Sequence, residues 1–83
     1  MPKSIHRREY AVLLRLIKEQ RQRGGLTQTQ CSAALDRPQS FMSDVERGAR
    51  RLDVVQLRDL CRVLGTDLPT FVRAFERALV RTE

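Results

Sequence analysis

The sequence contains no tryptophan, a single tyrosine, three phenylalanines and a single histidine among 83 residues. With so few rings, any core must be mainly aliphatic. Cysteine is almost as scarce: Cys31 and Cys61 stand thirty positions apart. Two such thiols and one histidine, His6, do not make a zinc site, so no metal or other cofactor is expected. Both cysteines fall where a helix points inward and read as reduced, buried side chains. There is no glycine-rich phosphate loop, no metal-ligand cluster and no nucleophile paired with a histidine, so the chain is not expected to be an enzyme. No stretch approaches the ~18 consecutive apolar residues of a membrane span. The opening Met1-Pro2-Lys3-Ser4 lacks the apolar segment of a signal peptide, and a cytoplasmic protein is expected. Repeats, low-complexity tracts and long linkers are missing too. A chain of this length holds one domain, taken as residues 1–83.

What the sequence does have is arginine. Sixteen Lys+Arg face ten Asp+Glu, for a formal charge of +6 and a pI near 10.6. Fourteen of the sixteen are arginine, whose planar fork suits phosphate oxygens and base edges. The charge is uneven: net +5 over residues 1–25, +1 over 26–51, and zero over 52–83. The basic end points to a polyanion partner. The neutral end points to packing or self-association.

Helical periodicity, broken by short turns, dominates the rest. A first helix is expected from about Ile5 to Gln22, with Ser4 as N-cap. Its apolar face is Tyr10, Leu13, Leu14 and Ile17, with Arg21 following on the same face, and Gly24-Gly25 end it. Thr27 and Gln30 match a capping box for a second helix, with Leu26 and Cys31 at the staple positions. That helix ends near Leu35, and Asp36 takes the turn, where Asp tolerates a left-handed conformation better than most residues. Pro38 suits the first position of a third helix over about residues 39–47, stopped by Gly48. Met42, Val45 and Ala49 form its expected inner face. Ser40, Ser43, Asp44 and Arg47 lie opposite. A nine-residue helix with one wholly polar face cannot stand alone and must be propped by its neighbours. Asp53 and Gln56 cap a fourth helix striped with Leu57, Leu60, Cys61 and Leu64. Asp67 and Pro69 open a fifth, over about residues 68–81, with Leu68, Phe71, Val72, Phe75 and Leu79 on its apolar face.

Two helices joined by about three residues have the geometry of a helix-turn-helix motif, here over about residues 27–47. Leu26-Thr27-Gln28, Pro38-Gln39-Ser40-Phe41-Met42-Ser43 and Glu46-Arg47-Gly48 resemble the XRE or lambda-repressor-like (Cro-type) family of transcriptional regulators. Arg50-Arg51-Leu52-Asp53-Val54-Val55 resembles a bacterial branch of it. The similarity runs over about residues 8–80. It implies an all-α, compact five-helix domain that binds double-stranded DNA, usually as a homodimer. It also implies that Gln28 touches a phosphate, that Gln39 begins the recognition helix, and that the regulator is a repressor.

The residues themselves are compatible with those roles. Gln39 offers a donor and an acceptor, the pattern that pairs with adenine in the major groove. Ser40 and Ser43 are short enough to meet a base edge or a phosphate. Asp44 can accept from cytosine. Arg37, Arg47, Arg50 and Arg51 flank the third helix as candidate backbone contacts. Phe41 falls at the edge of the inner face. Arg21 and Glu46 are opposite charges on inward faces and need each other, which predicts a structural ion pair. Phe71, Val72, Phe75 and Leu79 are the expected dimer surface.

Three positions depart from the family pattern. Cys31-Ser32 replaces the more usual Leu-Ala, Asp36 stands where Gly is common, and Asp44 where Lys or Arg is frequent. Asp44 leaves a second class of function open: a helical protein-interaction module, antitoxin-like or antirepressor. A controller protein of a restriction–modification system shares the size and fold of the first reading.

Overall fold

Residues 7–81 are described by a computed structural model, in which they form five helices. These are α1 (Arg8–Arg23), α2 (Gln28–Ala34), α3 (Phe41–Glu46), α4 (Val54–Val63) and α5 (Leu68–Arg81). The all-α, five-helix class expected from the sequence is the one observed. Ser4 and Ile5, the expected start of the first helix, and His6 lie outside the described residues. Among the described residues no helix is long and apolar enough to cross a membrane.

Local chemistry sets the boundaries. Thr27 Oγ1 accepts the Gln30 N–H at 3.0 Å, and Gln30 Oε1 accepts the Thr27 N–H at 2.9 Å, a reciprocal capping box at the start of α2. Asp53 and Gln56 repeat it on α4 at 2.7 and 3.0 Å. Asp67 caps α5 through the Thr70 amide at 2.9 Å, and that bond holds its carboxyl below the usual carboxylate range. At the end of α2 the Asp36 N–H bonds to the Ala33 carbonyl and the Arg37 N–H to the Ser32 carbonyl, both at 3.0 Å. This pair is the Schellman arrangement, with Asp36 at the left-handed position (φ 57°) where glycine is usual.

Helix α3 is shorter than its pattern suggested. The Phe41 N–H bonds to the Pro38 carbonyl at 2.9 Å, closing a turn over residues 38–41. The first helical bond is Asp44 N–H to the Ser40 carbonyl at 3.0 Å. Pro38 therefore opens a turn and not the helix, and Gln39 and Ser40 belong to that turn. At the far end Gly48 takes φ 79° and swings the chain away. Ala49, expected on the inner face, is exposed as a result.

The core is one cluster drawn from every helix: Leu16 and Ile17 of α1, Cys31 of α2, Phe41, Met42 and Val45 of α3, Leu60 and Cys61 of α4, and Phe71 of α5. The buried face of α1 is wider than its stripe predicted, because α1 packs against both α3 and α5. Val12 and Leu16 are buried, while Tyr10 and Leu14 are half-buried at the edge. On α5, Phe71 and Ala78 face inward and Val72 outward, at 42% exposure. Phe71, expected on a dimer surface, is 1% exposed, so it is a core residue and unavailable to a second chain.

Candidate nucleic-acid interface

A buried network fixes the angle at which α3 leaves the core. Arg21 Nε and Nη2 donate to the two Glu46 carboxylate oxygens at 2.6 and 3.1 Å, and Arg21 Nη1 donates to the Leu26 carbonyl at 2.7 Å. Gln28 Nε2 donates to Glu46 Oε1 at 2.9 Å. The Arg21 and Glu46 side chains are 8% and 5% exposed. The network ties together the end of α1, the following loop, the start of α2 and the end of α3. Glu46 also holds the Arg21 guanidinium more firmly protonated than usual, chiefly through its hydrogen bond and against the opposing effect of burial. Fork-on-carboxylate geometry, with each of the three guanidinium nitrogens donating to an acceptor, is what makes such a pair tolerable away from water.

A second device locks the opposite end of α3. Ser32 of α2 is fully buried, and its hydroxyl oxygen accepts the Met42 N–H at 3.0 Å. Ser40, the residue at the cap position of α3, makes no side-chain cap bond. The N-terminus of α3 is thus capped from another helix. The sequence marked Ser32 only as a departure from Leu-Ala, because no spacing rule links a serine to an amide ten residues on.

These two anchors leave one side of the turn and of α3 facing outward. Gln39 and Ser40 are exposed in the turn. Ser43 is half-buried, and its hydroxyl donates back to the Ser40 carbonyl at 3.1 Å. Asp44 forms an ion pair with Arg47, whose side chain is 66% exposed. Arg37 and Arg50, from the segments before and after α3, both lie over the Phe41 ring, at 5.4 and 5.1 Å from its centroid. Arg51 lies over the Tyr10 ring at 5.3 Å. Of the sequence-derived candidates, Gln39, Ser40, Ser43, Asp44 and Arg47 are brought together on the outer side of the turn and α3. Arg37 and Arg50 flank it over the Phe41 ring, Arg51 lies against α1, and Gln28 is drawn inward onto Glu46. Phe41 is 5% exposed and belongs to the core.

A short, outward-facing second helix held at a fixed angle to the first defines a helix-turn-helix protein, and the comparisons agree. A family model described as "Helix-turn-helix domain" matches residues 9–75. An XRE-family like protein from Pseudomonas syringae pv. tomato str. DC3000 is similar in structure, with a TM-score of 0.80 and 43% identity over 89% of this chain and 90% of that one. The restriction–modification controller protein C.Esp1396I shares the fold at a TM-score of 0.82 and 18% identity, over 92% of this chain and 99% of that one. No functionally curated protein matches the sequence significantly. The chain belongs to the XRE, or lambda-repressor-like, family of helix-turn-helix proteins, and is a DNA-binding regulator.

Proposed function

We propose that this protein is a cytoplasmic, sequence-specific repressor that binds a two-fold-related operator in double-stranded DNA as a homodimer. The observation that carries the proposal is the outer side of the turn and α3. Gln39 and Ser40 are exposed there, braced from behind by buried polar bonds and flanked by arginines. In this reading Gln39 pairs with adenine, Ser40 and Ser43 meet neighbouring base edges or phosphates, and Arg37, Arg50 and Arg51 grip the backbone. Gln28 contributes through its remaining amide hydrogen, the other being given to Glu46. Repression follows from occupancy: the bound dimer excludes polymerase.

The dimer surface belongs to α5. Val72 and Val80 are 42% and 69% exposed, beside the half-buried Phe75 and Leu79. The alternative of a protein-docking module drew on a free acid at Asp44. That acid is engaged by Arg47, which weakens the alternative.

Selection of binding sites from a random duplex pool tests the proposal. The expected product is an inverted repeat with half-site centres about one helical turn, ~10 base pairs, apart. Binding should weaken steeply with salt, as phosphate neutralisation requires. A pool that emerges unenriched at low ionic strength rejects DNA recognition. An enriched but asymmetric single site, with only monomer in sedimentation, rejects the dimer.

A further inference from the structure

We infer that Phe41 and Tyr10 are positioning residues for DNA binding: their rings hold the Arg37, Arg50 and Arg51 guanidinium groups in place for phosphate oxygens. The inference rests on the DNA-binding reading above and adds to it the device that presents the cations. Among the described residues, two of the ways in which arginines are held bear on anion binding. Arg7, Arg21 and Arg47 are ordered by carboxylates, namely Glu9, Glu46 and Asp44. Arg37, Arg50 and Arg51 have no carboxylate within ion-pair distance among the described residues, and each lies over an aromatic ring instead.

The difference matters for binding an anion. A carboxylate fills the N–H fork and cancels the charge, so a phosphate must first displace it. A ring engages the flat face of the guanidinium and leaves the N–H donors at its edge free. The side chain is then ordered before DNA arrives, and less rotamer freedom remains to be lost on binding. Phe41 suits the role because it is part of the core cluster and cannot follow the arginines. It gathers one arginine from the turn before α3 and another from the loop after it. Two like charges on one ring repel each other, and an anion beside them relieves that repulsion. The economy is evident in the composition: of four aromatic residues in the chain, two hold arginines.

The test measures binding of the full chain to the selected duplex and to a scrambled one, by fluorescence anisotropy across a salt series. Phe41→Leu keeps an apolar core residue and removes the ring. It should weaken binding to both duplexes by roughly 5-fold with an unchanged salt slope, since the charges remain. Arg37→Ala or Arg50→Ala should cost about 10-fold in the wild-type background and only about 2- to 3-fold beside Phe41→Leu, the coupling a double-mutant cycle reads. A residue that merely fills the core would leave the arginine costs equal in the two backgrounds. NMR of the free wild-type chain supplies a measurement that does not depend on the folding of Phe41→Leu. The side-chain Nε–H signals of Arg37, Arg50 and Arg51 should be displaced by the rings, and Tyr10→Leu should return that of Arg51 to the position of an exposed arginine. Undisplaced signals, or equal arginine costs, overturn the inference while DNA binding stands. A wild-type chain that binds no duplex removes the DNA-binding reading and this inference together.

Discussion

Ser32 and Met42 are joined across the helix-turn-helix by a hydroxyl accepting a backbone amide at 3.0 Å, and both residues are 0% exposed. One helix of the motif thereby supplies the cap of the other. Ser32→Ala removes the acceptor and leaves the Met42 amide buried and unpaired, which should cost about 1–3 kcal/mol of stability. Urea denaturation measures this. A loss below about 0.5 kcal/mol would show that the bond is dispensable, since that is the usual range of an inconsequential substitution.

The Glu46 carboxylate accepts from Arg21 and Gln28, and Glu46→Ala strands the Arg21 guanidinium in a site where its side chain is 8% exposed. The expected loss is about 3–5 kcal/mol, the usual result of removing one partner of a buried pair. Combining Glu46→Leu with Arg21→Met should restore part of it, because the apolar pair leaves no buried charge, although the Leu26 carbonyl and the Gln28 amide lose their partners. An unchanged melting temperature in Glu46→Ala would remove the network from any account of the fold.

The exposed Asp44–Arg47 pair contributes little to stability, less than about 1 kcal/mol, so Asp44→Asn should fold normally. Its effect should fall on DNA. With Arg47 released, binding to unrelated duplexes should tighten, and the salt slope should steepen by about 1. A slope identical to that of the wild type would place Arg47 away from the DNA backbone.

Burial pushes the Cys61 thiol up to about 11 from its ordinary 9.0, and raises the Cys31 thiol as well. Neither should react with a thiol reagent at pH 8 unless the chain unfolds, because the thiolate is the reactive form. Stability should also depend on pH. Below pH 9 both folded and unfolded thiols are protonated. Between about pH 9 and 11 the unfolded thiol ionises while folded Cys61 does not, so stability falls as pH rises through this window. Cys61→Ala should flatten that part of the melting-temperature profile. Equal slopes with and without the thiol would assign the loss to other groups.

Those features that rest on local chemistry were legible in the sequence. The caps at Thr27 and Asp53, the left-handed turn at Asp36 and the stop at Gly48 each follow from one residue type acting on backbone close by. The Arg21–Glu46 contact was legible for a different reason, since two charges on inward faces leave few alternatives. What escaped was set by tertiary packing. The stripe of α1 was narrower than its buried face because a stripe does not reveal how many helices will cover it. The start of α3 is later than its pattern suggests because Pro38 serves a helix and a turn equally well. Ser32, and the rings that hold the arginines, were hidden because each joins separate segments with no periodicity between them.

Helix α3 spans six residues, Phe41–Glu46, so few of its amides are bonded within the helix itself. Its shape is imposed by Ser32 below, Glu46 behind and three apolar side chains pressed into the interior. The side chains of Gln39 and Ser40 make no bond in that scaffolding. They are therefore free to vary: exchanging them should retarget the molecule to new sequences while its melting behaviour stays the same, as a typeface can be changed without rebuilding the press.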